Sequence, residues 1–267
     1  MHSARLKPEH TWEKIPALTL LFWIMKITAT TFGETGGDLL AQTLNVGYAT
    51  STIIFFAFFL VTVSIQLSVK KYIPALYWAV IVATSTAGTT MSDYMDRTLG
   101  LGYATGTFIL VSILILILIV WRLTEKSLSV TNIKSFRGEA FYWTAILFSN
   151  TLGTALGDFL ADDSGLGFGG SALLISAVLL VVILAYYFTK ISRVILFWIA
   201  FVLTRPFGAT FGDLLTKSPE KGGLGYGTIG SSMILLGLLI ILVIYESIKL
   251  QKNKKAAVHH KSLPTLT

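Results

Sequence analysis

The sequence predicts an all-α, polytopic membrane protein: eight transmembrane helices formed by four parallel two-helix repeats around a pseudo-fourfold axis. Three observations carry this. Only 13% of the 267 residues are charged and mean hydropathy is +0.72, whereas about a quarter of a soluble domain is charged. Charge-free runs such as 109–121 and 233–245 extend to about 20 apolar residues, enough to cross a bilayer. A set of landmark residues also recurs four times along the chain.

The recurrence is measured from Asp38, Asp93, Asp158 and Asp213. Fifteen residues before each stands a tryptophan (Trp23, Trp78, Trp143, Trp198), five before a glycine (Gly33, Gly88, Gly153, Gly208), and one before a small residue (Gly37, Ser92, Gly157, Gly212). Nine residues after the first three aspartates come Gly47-Tyr48, Gly102-Tyr103 and Gly167-Phe168. In the fourth repeat the pair Gly225-Tyr226 arrives three residues late, behind Lys217-Ser-Pro-Glu-Lys-Gly-Gly. Asp-to-Asp spacings of 55, 65 and 55 describe two pairs of repeats joined by the polar, basic linker 124–136.

Each repeat reads as helix, Gly-bearing turn, helix. The expected spans are 16–38, 47–69, 72–94, 101–123, 139–160, 167–189, 192–214 and 224–247. The repeats thus occupy 16–69, 72–123, 139–189 and 192–247 of a single membrane domain, 1–267, with tails 1–15 and 248–267. Two helices per repeat keep all four repeats in one orientation, related by an axis along the membrane normal.

Lysine and arginine mark the cytoplasmic face. Sixteen of them flank the spans at the ends away from the aspartates. Three (Arg97, Lys217, Lys221) lie at the aspartate ends, and Lys26 and Arg205 fall inside spans. Both termini are therefore expected to be cytoplasmic, at a plasma (inner) membrane, with the aspartates near the outer face. The net charge of +7 reports this topology and calls for no nucleic acid. The basic stretch 249–261 needs only an anionic leaflet. Residues 1–13 lack the pattern of a cleaved signal peptide. The absence of cysteine excludes disulfides, thiolate metal sites and thiol nucleophiles.

The small pairs Gly33/Gly37, Gly88/Ser92, Gly153/Gly157 and Gly208/Gly212 are small-xxx-small patterns, which let helix backbones approach closely in lipid. They predict a central bundle of the four odd helices with the even helices outside. The aspartates are open to two readings. Each caps or hydrogen-bonds the turn that follows it, or together they form a shared cation site, since a charge within a span is costly unless it pairs, binds an ion or faces a cavity.

Positions four, seven and eight residues before each aspartate share its helix face. They hold Glu34, Thr31 and Thr30; Thr89, Thr86 and Ser85; Thr154, Thr151 and Asn150; and Ala209, Pro206 and Arg205. Any one hydroxyl can bond its own helix carbonyl, but together the stripes read as the lining of a polar path. Glu34 and Lys26 occur only in the first repeat, Arg205 and Pro206 only in the fourth. Lys26 is expected to tether Glu34 or to be the internal charge that a cation displaces. Arg205 is expected to neutralise Asp158 or Asp213, unless either charge belongs to a purely structural ion pair. Pro206 is expected to break its helix and free carbonyls as ligands.

A cation at Glu34, Asp38, Asp93, Asp158 and Asp213 would meet only oxygen, which suits Mg²⁺, Ca²⁺, Mn²⁺ or an alkali ion. Asp96, Asp162, Asp163 and Glu220 make the outer loops acidic and would gather cations. The histidines (His2, His10, His259, His260) all lie in the tails.

Through Lys26-Ile-Thr-Ala-Thr-Thr-Phe-Gly-Glu-Thr-Gly-Gly-Asp38, its weaker echo Arg205-Pro-Phe-Gly-Ala-Thr-Phe-Gly-Asp213 and the Gly-Gly-Leu-Gly-Tyr-Gly segment, the chain resembles a bacterial family of uncharacterised membrane-anchored proteins. The resemblance covers nearly the whole chain and implies a bacterial inner-membrane protein. Glu34-Thr-Gly-Gly-Asp38 is also similar to the Glu-x-Gly-Asp signature of manganese and calcium exporters, with one residue more in the spacing and without the Lys/Arg-Ser/Thr that follows it there.

The expected function is a membrane transporter or channel for a cation, such as divalent Mn²⁺, along a polar acidic path between the odd helices. No ATP-binding loop is present, so transport would be secondary or passive. The alternative is a non-transporting sensor or scaffold with a structural ion or ion-pair site. No Ser-His pair or His-rich metal motif points to an enzyme. No cofactor is expected beyond a bound cation, and the expected partners are the lipid bilayer and the cation.

Overall fold

Thr19 accepts a hydrogen bond from the Phe22 amide and so starts α1, Leu20–Asp38. Pro74 opens α3, Pro74–Asp93, at a position where its missing N–H is not needed. Ser135 caps α5, Phe136–Asp158, by accepting from the Gly138 amide at 2.8 Å. The remaining long helices are α2 (Tyr48–Ser68), α4 (Tyr103–Glu125), α6 (Gly167–Phe188), α7 (Arg193–Thr216) and α8 (Thr228–Ser262). The computed structural model describes residues 14–262 except residue 134. Arg5, Lys7, His2 and His10 lie outside the described residues, as do the side chains of His259 and His260. The helix α8 continues through 248–262, where the sequence suggests a tail.

Helices α1, α3, α5 and α7 pack in a ring, each against the next and α7 back against α1. The even helices sit outside and bridge repeats: α2 packs on α3, α4 on α5, α6 on α7, and α8 closes the circle on α1. Their apolar side chains face outward, with Ile53, Phe108, Leu173 and Ile234 all at least 70% exposed. Helices α2, α4, α6, α7 and α8 are long and apolar enough to cross a membrane. The other three, α1, α3 and α5, bury many serine, threonine and charged side chains within the bundle, which lowers their hydropathy.

The small-residue positions are the ring contacts. A Cβ on Gly33, Gly88, Gly153 or Gly208 would fall within 3.0 Å of Ser85, Asn150, Arg205 or Thr30 respectively. In each case the glycine five residues before one aspartate meets the residue eight before the next. The rule closes cyclically.

The helix does not stop at the first three aspartates. It continues as a π-turn over Leu39–Thr43, Tyr94–Thr98 and Phe159–Asp163. In the fourth repeat α7 runs to Thr216, and Pro219, which cannot donate a helical hydrogen bond, opens a 3₁₀ turn. The turns also correct the register of this repeat. Positive φ recurs at Asn45, Gly100, Gly165 and Gly225, and again at Gly47, Gly102, Gly167 and Gly227. Gly227-Thr228, not Gly225-Tyr226, therefore corresponds to Gly47-Tyr48.

Candidate functional site: a layered axis of buried charge

The ring places equivalent residues of the four repeats at equal depth, so the axis reads as layers. At the basic end, Trp78 and Trp143 are buried beside Tyr77 and Tyr142, whose hydroxyls are 2.6 Å apart. Trp198 is buried as well and donates to the Leu128 carbonyl, so three of the four repeated tryptophans are packed inside.

The next layer, twelve residues before each aspartate, holds Lys26, Ile81, Ile146 and Phe201, all 0% exposed. Lys26 Nζ donates to Asn150 Oδ1 at 3.3 Å and lies 4.1 Å from the Phe201 ring centre. Among the described residues no carboxylate lies within 4.0 Å of it, so Lys26 does not tether Glu34. Asn150 holds its amide in place by donating to Thr84 and Ser85.

Arg205 rises from the layer of Thr30, Ser85 and Asn150 into the layer of Glu34, Thr89, Thr154 and Ala209. It is wholly buried. Nη1 and Nη2 both lie 3.2 Å from Glu34 Oε2, and Nη2 also reaches Thr154 Oγ1 at 2.7 Å, Thr89 Oγ1 and the Ser85 carbonyl. Thr89 and Thr154 donate to the same Glu34 oxygen at 3.3 and 3.2 Å. Arg205 thus contacts the equivalent residue of each other repeat, and Ala209 is the small member of that layer. Its partner is Glu34 rather than Asp158 or Asp213, because the side chain bends one helical turn along the axis and stops at the first carboxylate. Pro206 leaves α7 continuous, contrary to the expected break.

The outermost layer is the aspartates, all 2% exposed. Two cations bridge them in adjacent pairs. Arg97 reaches Asp93 at 2.8 Å and Asp158 at 3.1 Å. Lys217 reaches Asp213 at 3.1 Å and Asp38 more closely. Gln42 also donates to Asp38. Both cations stand four residues after an aspartate, in the second and fourth repeats, so the fourfold ring carries twofold charge. Desolvation by burial would lower the Lys217 ammonium, but the charges of Asp213 and Asp38 outweigh it and hold it well above its usual range. Arg97 is held charged in the same way.

Glu34, Asp38 and Asp213 each offer a carboxylate oxygen within 4.8 Å of the others, a triad able to hold a cation. Asp93 and Asp158 lie on the Arg97 side of the ring. Of the expected path residues, Thr89, Thr154, Ser85 and Asn150 join the axial network, and Thr30 bonds across to the Thr204 carbonyl at 3.3 Å. Thr31, Thr86 and Thr151 bond carbonyls of their own helices. Asp96 is not part of an acidic surface: it is buried against Gly106 and accepts from Ser92. Arg97 and Lys217 count in the sequence only toward topology. The basic residue one turn after Asp93 and Asp213 is the signal that finds them.

Four copies of a family model described as a Repeat of Unknown Function (DUF347) match the chain, at residues 21–72, 76–127, 141–192 and 196–249. The chain belongs to this repeat family. No curated protein and no solved structure matches it significantly.

Proposed function

We propose that all eight helices span an inner membrane, with both chain ends cytoplasmic, and that the protein carries a cation along the axis by exchange against its own buried cations. The observation that carries this reading is the triad Glu34, Asp38 and Asp213, in which Arg205 and Lys217 occupy the carboxylates as internal counter-ions. An incoming cation would take over those oxygens and release the side chains. Filled layers at Arg205 and Lys26 favour a carrier over an open channel. With every group ionised, the five carboxylates exceed their three directly paired cations by two charges, and Lys26 lowers the excess to one. The all-oxygen donor set suits a hard cation such as Mn²⁺ or Mg²⁺.

The test is ion flux into liposomes holding the purified protein, with Mn²⁺, Mg²⁺, Ca²⁺, Na⁺ and K⁺ compared. Uptake that is lost in Glu34→Gln and Asp213→Asn supports the reading. Equal uptake by Glu34→Gln defeats the site assignment. The internal pairing of Glu34 and the four aspartates favours a second reading, a scaffold stabilised by structural ion pairs. Failure of the protein to move any tested cation would select it.

A further inference from the structure

Lys26 is the one charge on the axis that the ion pairs leave out. The rest of its layer is apolar: Ile81, Ile146 and Phe201, each 0% exposed, as Lys26 itself is. Among the described residues Nζ has one hydrogen-bond acceptor, Asn150 Oδ1 at 3.3 Å, and it rests 4.1 Å from the Phe201 ring centre. The Asn150 amide is turned to present that oxygen, because its nitrogen donates to Thr84 and Ser85. An ammonium carries three N–H donors, so the others find no protein acceptor among the described residues.

The helices around it bring no free negative charge to this depth. From α3 come Ile81, Thr84 and Ser85, and from α5 Ile146 and Asn150; Glu139, nearer the start of α5, is held by Lys14. From α7 come Phe201 and, one layer further out, the cation Arg205. Glu246 of α8 accepts from Trp78 Nε1 at 2.9 Å. Within α1, Glu34 stands eight residues on, about 12 Å along the helix, and is engaged by Arg205. A buried ammonium without a carboxylate is costly, and in so dry an interior a further positive charge is felt across that distance.

With Lys26 and the ion pairs charged, the axis holds one net negative charge. A monovalent cation brings it to neutrality. A divalent cation overshoots by one, and the loss of one proton restores neutrality. We infer that entry of a divalent cation at Glu34, Asp38 and Asp213 expels one proton from Lys26 Nζ to solvent. One N–H bond breaks, the nitrogen keeps the electron pair, and its remaining hydrogens still serve Asn150. The inference rests on the cation site proposed above, and it makes the carrier an exchanger of one proton for one divalent cation.

The test is calorimetry of Mn²⁺ binding to the full-length protein in detergent, in buffers of different protonation heat, which counts the protons released. The wild type should release one proton more per Mn²⁺ than Lys26→Met, whose side chain suits a layer of Ile81, Ile146 and Phe201. Raising the pH by one unit should therefore strengthen wild-type binding roughly tenfold more than that of the variant. Lys26→Arg keeps its charge, so it should release no more protons than Lys26→Met and bind Mn²⁺ more weakly. In liposomes, Mn²⁺ running down its gradient should drive protons the other way through the wild type. Equal proton release by wild type and Lys26→Met, no release by the wild type, or wild-type Mn²⁺ flux without proton movement would overturn the inference. The extra proton without any flux would defeat the carrier while supporting proton release at Lys26. Absence of Mn²⁺ binding would overturn both.

Discussion

Arg205 places both terminal nitrogens 3.2 Å from one oxygen of Glu34, so two buried charges from the first and last repeats meet on the axis. A buried pair of this kind makes each partner dependent on the other. Glu34→Gln or Arg205→Met alone should cost about 3–5 kcal/mol, while the double variant should recover much of the loss. Chemical denaturation in detergent or lipid nanodiscs reads this as a double-mutant cycle. Additive single losses would show that the two side chains are not coupled.

The ring contacts predict a steep order among the glycines. Gly33→Ala and Gly88→Ala put a Cβ against the next helix of the ring and should lower the melting temperature by several degrees. Gly230→Ala and Gly237→Ala in α8 meet nothing within 4 Å, and each should gain up to about 1 kcal/mol from helix propensity. Thermal unfolding of the four variants checks the order. Equal effects would remove the close-packed ring.

Lys217 and Arg97 each hold two aspartates, so their loss should be felt differently from that of an ordinary surface cation. Lys217→Gln should relieve the triad of its internal counter-ion and raise its affinity for Mn²⁺ roughly tenfold or more, while lowering stability in metal-free buffer. Arg97→Gln, on the opposite side of the ring, should lower stability without that gain. Calorimetry with Mn²⁺ separates the two variants.

Asp96 gives the pH dependence a sign. Burial against Gly106, in the π-turn beyond the expected span 72–94, pushes its carboxyl up to about 6, from an ordinary value of about 4. A carboxyl raised in the folded state favours folding while both states hold the proton. That contribution is full below about pH 4 and is lost as pH rises through about 6. Asp96→Asn should therefore flatten the stability profile across this window and be the more stable protein above it. Melting curves between pH 4 and 7 test this. A wild-type profile that rises in step with the variant's would refute it.

Much of the architecture is legible in one dimension. The fourfold landmarks mark the repeats, and the small-residue pairs mark the helix faces that meet. Helical spacing puts Glu34, Thr89 and Thr154 at one depth, because residues four apart share a face whatever surrounds them. The fourth repeat misleads because glycine-rich loops contain several residues able to adopt positive φ. Its landmark therefore shifts from Gly225 to Gly227 only once the turn is seen.

The repeat, the helical faces, the depth of each polar residue and the concentration of carboxylates at one end all follow from residue order. Which charges touch follows from the packing of the helices. Packing pairs Arg205 with Glu34 rather than Asp158 or Asp213, leaves Lys26 on Asn150 and Phe201, and sets Arg97 and Lys217 across neighbouring aspartates. The reason is that helical spacing fixes depth and face within one chain segment. Partners across the axis depend on the cyclic order of the helices and on how far a long side chain bends, and both are set by packing between segments distant in sequence.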